Sequence, residues 1–286
     1  MESINIDYEL QTPELRNLNK IESKEIDDFL EKQIDIFVAT NDEKNANYWA
    51  ILFKIFEVQN MYIKIYELFE LKDFYVAWCQ LARIEITTKN ILRHISFTED
   101  KYKLLFIQQY TTKLQSLFPY KLFGSSEYVK KEIKCSICNS IISLRKRCAH
   151  KKGELYMAQM CHYVITQSEL IGIAVVTEPF NKYSVIGVTK KEDDRYQYTL
   201  IEYLMSLIDH PFNEWSTKKY RIFEPHSKFR SGRNDECPCG SKAKYKKCCI
   251  KKKGIDMEHT EFILRQPTIK SLRNDQTKGI PNLPVQ

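Results

Sequence analysis

The sequence predicts an α+β protein with a helical amino-terminal region, a small mixed unit in the middle and a compact cysteine-rich module near the carboxy end. Three observations carry this reading. Between residues 44 and 96 the polar residues Lys54, Glu57, Asn60, Lys64 and Glu67 recur at helical spacing among aromatic and aliphatic neighbours. Two short β-branched runs, 170–177 and 183–188, flank Glu178-Pro179. Eight of the nine cysteines lie between Cys135 and Cys249, a clustering that points to local metal or redox sites rather than a disulfide scaffold.

The helical spacing predicts an amphipathic helix followed, after a break near residues 71–72, by a second helix. Asp73 is placed to cap this second helix, and its Ala77, Leu81, Ile84, Ile91 and Ile95 fall on one side. Two long helices joined by so short a turn are expected to pack antiparallel. A third helix is expected over 102–117, ending before Pro119 because the residue preceding proline disfavours helical backbone. Residues 198–209 read as a helix closed by His210-Pro211, and 213–228 as a polar connection. The segment with Pro267, Pro281 and Pro284 has little periodicity and reads as an extended tail. The expected divisions are a helical domain at 1–125, an α+β domain at 126–226, the cysteine module at 227–254 and the tail at 255–286.

Apolar residues make up 43% and charged residues 28% of the 286 residues, a globular composition that disfavours wholesale disorder. The net charge of +7 conceals an asymmetry. Residues 1–50 hold twelve Asp and Glu against five Lys and Arg, whereas 227–253 hold ten Lys and Arg against two acids. A basic block of this kind gathers polyanions such as RNA. The acidic stretch 1–14 lacks the apolar core of a signal peptide, and the apolar run 170–176 is far shorter than the roughly 20 residues of a membrane helix. A cytoplasmic protein without membrane insertion is therefore expected, and reduced thiols there favour metal over disulfides.

The strongest signal is Cys237-Pro-Cys239 followed by Cys248-Cys249, a CxCx8CC pattern. Zinc takes four tetrahedral ligands, and sulfur pairs separated by a turn supply them when the backbone can fold around the ion. Pro238 restricts the first ligand loop, and Gly240 can adopt angles closed to other residues. So short a segment buries little core, and a structural zinc contributes on the order of 10 kcal/mol to such modules. The stretch 232–249 resembles the SEC-C motif, the zinc-binding tail of the bacterial SecA translocase. That resemblance implies zinc on Cys237, Cys239, Cys248 and Cys249. It departs from the pattern at Glu236, where proline is common, and at Ala243, and neither change removes a ligand. SEC-C modules elsewhere recruit partners, including ribosomes and an acidic chaperone, so the resemblance implies docking through Arg230, Arg233, Lys242, Lys244, Tyr245, Lys246 and Lys247. Some of these lysines serve to offset the negative charge of a tetrathiolate zinc site. Tyr245 is placed either to stack on a base or to pack over the zinc loop.

The second cluster is Cys135-Ser-Ile-Cys138, then Cys148-Ala-His150, with Cys161-His162 further on. A CxxC pair completed by CxH matches zinc chemistry, so Cys135, Cys138, Cys148 and His150 are the expected ligands, making the middle domain zinc-ribbon-like and the zinc count two. Cys161 and His162 stand in reserve, Cys161 being otherwise a small buried apolar residue like Cys79. The wider stretch from Phe118-Pro-Tyr-Lys through Lys151-Lys-Gly-Glu-Leu-Tyr to Lys182-Tyr-Ser-Val resembles bacterial SEC-C-containing proteins of unassigned function, in which the CxxC and CxH elements stand together; this implies one folded zinc domain. Around it Lys130, Lys131, Lys134, Arg145, Lys146, Arg147, Lys151 and Lys152 oppose only Glu132.

No Walker loop, GxGxxG, HExxH or GxSxG pattern is present. Both cysteine clusters can fill all four zinc positions with protein, leaving no open vertex for a reacting water. Arg221 and His226 have the spacing of an Rx4H ribonuclease motif, but Pro225 interrupts it. Asp27, Asp28 and Glu31 read as a solvated helix face. The expectation is a zinc-binding adaptor whose basic tail docks on a ribosome, RNA or an acidic protein. The competing expectation is a nuclease or toxin-like enzyme with its active groups in the helical domain.

Overall fold

The computed structural model describes residues 5–16, 20–95, 99–187 and 197–275. Val188 of the second expected strand and residues 276–286 of the tail lie outside them. The chain divides into two compact units, Met1–Ser116 with Tyr120–Arg195, and Leu117–Pro119 with Tyr196–Gln286, and each is described by itself.

The first unit is organised on α3 (Glu43–Glu70), which follows α1 (Ile6–Gln11) and α2 (Lys20–Ala39) and precedes α4 (Phe74–Ile91) and α5 (Leu104–Gln115). The Asp42 carboxylate accepts the Asn45 N–H at 3.1 Å and starts α3; Lys72, at φ 59°, takes the left-handed backbone just beyond its end. Because α2, α4 and α5 all pack on it, α3 is apolar around much of its circumference, and Ile55, Phe56, Tyr62 and Ile65 are fully enclosed. Its one fully buried amide, Gln59, donates to the carbonyls of Leu10 (2.7 Å) and Tyr102 (2.9 Å) and accepts from Arg16 (3.0 Å). Every polar atom of that amide is thereby engaged in the core. On α4, Ala77, Leu81, Ile84 and Ile91 are buried as their spacing predicts. Ile95 lies past the helix end, and Asp73 stands at the N-cap without a side-chain capping bond.

After α5, β1 (Phe123–Cys135) and β4 (Tyr163–Val176) form a long antiparallel two-stranded ribbon, with the hairpin β2 (Leu155–Tyr156) and β3 (Gln159–Met160) between them. The strand expected at 170–177 is the second half of β4. The one expected at 183–188 forms no strand: Val185 makes a single isolated bridge to Phe123. Its neighbourhood is held by α4 instead, Trp78 Nε1 donating to the Lys182 carbonyl and the Tyr75 hydroxyl to that of Tyr183. With those carbonyls taken by side chains, no ladder forms there. The β2–β3 hairpin is tied to α3 through Asn47, whose amide donates to the Leu155 carbonyl and accepts the Ala158 N–H at 2.8 Å. The His94 ring meets the Gly153 carbonyl at 2.8 Å.

The second unit contains α6 (Thr199–Leu207), β5 (Trp215–Glu224), β6 (Ile255–Leu264) and α7 (Ile269–Asp275). β5 and β6 pair antiparallel without a register shift, from Trp215↔Leu264 to Glu224↔Ile255. The polar connection expected at 213–228 is thus largely a strand, and the segment after 254, expected as an extended tail, supplies the partner strand and a helix. Asp209 accepts the N–H groups of Ile269 and Lys270, and the Thr268 hydroxyl donates to the Leu207 carbonyl, fastening α7 to the end of α6. The cysteine module fills the connection between β5 and β6.

None of the helices in the described residues is long and apolar enough to cross a membrane. The tightest backbone approach in the second unit is at Gly254, where a β-carbon would stand 2.5 Å from the Glu224 carbonyl oxygen. Gly254→Ala is expected to destabilise this unit by about 1–3 kcal/mol, read as a lower denaturation midpoint of the metal-loaded protein; an unchanged midpoint would contradict the close packing of module against ribbon.

Candidate metal centres

The ribbon ends in the first centre. Cys135 is the last residue of β1 and is fully buried. The chain then turns tightly: the Asn139 N–H donates back to the Cys135 carbonyl at 2.9 Å, Asn139 sits at φ 56°, and the Cys135 N–H donates to the Ser140 carbonyl at 3.0 Å. This turn brings Cys138 round to face Cys135. The loop carrying Cys148 and His150 closes over them, with the His150 ring edge-on to Tyr156 at 4.6 Å between centroids. The ligand atoms of Cys135, Cys138, Cys148 and His150 all lie within 4.8 Å of one another. His150 Nδ1 is buried without a hydrogen-bond partner, which fits a nitrogen awaiting a metal.

A fifth donor stands against this set. Cys161 is fully buried, with its sulfur 3.8 Å from that of Cys135. Four sulfurs about 2.3 Å from a tetrahedral zinc lie roughly 3.8 Å apart, so this separation is that of two ligands on one ion. Cys161 is carried there by the ribbon register, which pairs Cys135 with Tyr163, and by the Gly153 N–H donating to the Cys161 carbonyl. It is thus a candidate ligand rather than an inert apolar residue. His162 stays outside the cluster; its N–H donates to the Ser136 hydroxyl at 2.8 Å.

The second centre gathers Cys237, Cys239, Cys248 and Cys249, again with all four sulfurs within 4.8 Å. Cys239 and Cys248 are 3.5 Å apart, and Cys248 and Cys249 are 3.7 Å apart, again close to tetrahedral edges. Gly240 takes φ 77°, and its N–H donates to the Cys237 carbonyl at 3.1 Å; this is the conformation its position after Pro238-Cys239 calls for. The Cys237 N–H donates to Ala243 and the Cys248 N–H to Tyr245. Cys237, Tyr245, Cys249, Ile255 and Met257 form one buried cluster, so the cage is packed on the start of β6. Tyr245 presents no ring for stacking on a base: it is buried, and its hydroxyl pairs with His226 Nδ1, while His226 Nε2 meets the Lys252 carbonyl at 2.9 Å.

The thiols of each centre are electrostatically unequal without an ion. At the second, burial and the neighbouring thiols push Cys249 up to about 12. Burial would also raise Cys239, but hydrogen bonds from Ser241 and the adjoining cysteines hold it down at about 6. At the first, burial and Cys135 raise Cys161 to about 11, whereas hydrogen bonds from Ser140, then from His150 and Cys135, lower Cys138 to about 6. Each centre therefore offers one ready thiolate and holds at least one proton that a divalent cation must displace on binding.

Arg230, Arg233, Lys242, Lys244 and Lys247 are exposed around the second centre, and Lys246 is half-buried. Arg221 and His226 do not form a ribonuclease pair. Arg221 lies on a strand and forms an ion pair with Asp256 at 2.6 Å, and His226 is engaged by Tyr245. Asp27, Asp28 and Glu31 line an open groove of about 700 Å³ together with Lys24, Lys64 and Arg83, a mixed-charge surface.

Residues 233–251 match the model of the SEC-C motif family. The chain carries a SEC-C motif. Over 70 residues, 24% of this chain, it is 41% identical to the protein translocase subunit SecA of Lawsonia intracellularis (strain PHE/MN1-00); the match spans 8% of that protein. No solved structure matches the chain. The SEC-C motif is a zinc-binding module, and its four cysteines are the ones that converge here. The centre at Cys135 lies outside the matched residues. Its fifth donor had no sequence signature, because Cys161 has no second ligand at knuckle spacing; only the ladder of β1 with β4 places it.

With five donors for a four-coordinate ion, His150 and Cys161 are expected to substitute for one another. His150→Ala and Cys161→Ala singly should each weaken zinc retention at the first centre by no more than about tenfold, and the double variant by at least about a hundredfold. Competition with a chromophoric chelator reads this directly. Equal loss in both single variants and the double would show that both residues are required together.

Proposed function

We propose that this protein is a zinc-dependent docking protein in which two structural zinc ions hold two units, and the cations around the SEC-C module engage an anionic surface on the ribosome, on RNA or on an acidic protein. The observation that carries this reading is the arrangement of charge at the second centre: Arg230, Arg233, Lys242, Lys244 and Lys247 are exposed around a buried sulfur cage. Four thiolates on one zinc leave a formal charge of −2, fewer negative charges than the cations around them, so the surface keeps a positive excess. Each donor set fills a tetrahedron with protein, which supports a structural rather than a hydrolytic ion. SecA, which shares the motif, is named as a translocase subunit; the motif on an unrelated framework supports transfer of a docking element rather than of that activity.

The enclosure of Tyr245 bears on the mode of contact. Without an exposed ring, the module recognises charge, and its binding is indifferent to base sequence. Phosphate-dense RNA matches a spread of cations better than a single carboxylate does, which places ribosomal RNA first among the three partners.

Removal of the whole module would strip β5 of β6, so charge reversal is the cleaner test. Wild-type protein is expected to co-sediment with ribosomes at about 50 mM salt and to lose affinity by about two orders of magnitude by 200 mM, as for some five phosphate contacts. The variant K242E/K244E/K247E should retain two zinc ions and fail to sediment at either salt. Equal sedimentation of variant and wild type, or none by either, would refute the docking assignment.

A further inference from the structure

The β1–β4 ribbon has an apolar face that nothing in the described residues covers. In its register Tyr128 stands opposite Leu170, Ser126 opposite Ile173 and Gly124 opposite Val175. Directly paired residues share a face, and 124, 126 and 128 alternate along β1, so Tyr128, Leu170, Ile173 and Val175 lie on one side. Ile171 is the extra residue at the bulge between Glu127 and Tyr128 and extends the stripe. The opposite side carries Ser125, Glu127, Ala174 and Glu169, which are small or charged. The ribbon thus has the patterning of a sheet with one buried face. Yet the stripe is bare: Tyr128 is 50% exposed, Leu170 52%, Ile171 59%, Ile173 72% and Val175 64%.

Two physical limits make this arrangement incomplete. A two-stranded ribbon is at best marginally stable in water without a third strand or a packed face, and here the sheet has two strands. Monomeric proteins also rarely expose a contiguous apolar patch of more than a few hundred Å², and five such side chains present on the order of 600 Å². Nucleic acid gains nothing from a stripe without a cation in it.

We infer that the occupant of this face is a second copy of the same ribbon, packed face to face about a two-fold axis. Such an interface is self-complementary, since each stripe is continuous, uncharged and meets its own image without like-charge contact. Two copies together would remove on the order of 1,200 Å² of surface from water, the lower edge of the range for specific, stable interfaces. Sheets packed in this way stand about 10 Å apart with their side chains interdigitated. The dimer would also present two SEC-C modules at once, so that two weak anion contacts act as one stronger contact.

Sedimentation velocity on the full-length, zinc-loaded protein tests this without reference to any ribosomal partner. Wild type is expected to sediment with twice the mass of one chain at roughly 50 μM. Ile173→Lys, at a position already mostly in water, should leave the circular dichroism spectrum and zinc content unchanged and weaken self-association at least about tenfold. Leu144→Lys, at an exposed position off the ribbon, should leave the dimer intact. A monomeric wild type at that concentration would overturn the inference and leave the stripe to a different protein. An Ile173→Lys protein that dimerises as well as wild type would overturn it too.

Discussion

The rest of the structure depends on the crowding of sulfur. Four thiols within 4.8 Å of one another at each centre cannot all ionise without mutual repulsion. Nor do they gain much by staying neutral, since a thiol is a weak hydrogen-bond donor. A divalent cation resolves the conflict by turning repelling charges into ligands. The local backbone is arranged for that outcome, with Gly240 at φ 77° and Asn139 at φ 56° turning the chain so that sulfurs face inward.

Each cage in turn holds an element that would otherwise have little to keep it folded. At the first, Cys135 closes β1 and Cys161 precedes β4, so the ion clamps the base of a ribbon whose middle is solvent-exposed. At the second, Cys249 and Tyr245 pack on Ile255 and Met257 at the start of β6, so the ion and the β5–β6 ladder support each other. Cations left at the surface of this scaffold are positioned by it, and that is the physical link between metal and docking.

Much of this was legible in the residues and some was not. The helices α3 and α4 announced themselves because their apolar positions repeat within one element and are buried by it. The SEC-C ligands and the Cys135, Cys138, Cys148 and His150 set were legible from spacing alone, since metal geometry constrains local sequence. The strands β1, β5 and β6 were not. Their faces are largely exposed, so residues such as Lys130, Lys131, Lys218 and Lys219 hide the alternation that a buried strand shows. Cys161 was ambiguous for a related reason: its place beside Cys135 comes from pairing across more than twenty residues. The orientation of Tyr245, inward to His226 and the sulfur cluster, likewise depends on β6 being present.

Zinc K-edge X-ray absorption on the full-length protein, with metal stoichiometry taken from native mass spectrometry of the same sample, tests the central claim most directly. The account predicts two zinc ions per chain and a first shell dominated by sulfur at about 2.3 Å, with at most one nitrogen and no water oxygen. A single ion, or an oxygen in the first shell marking an open position, would contradict it.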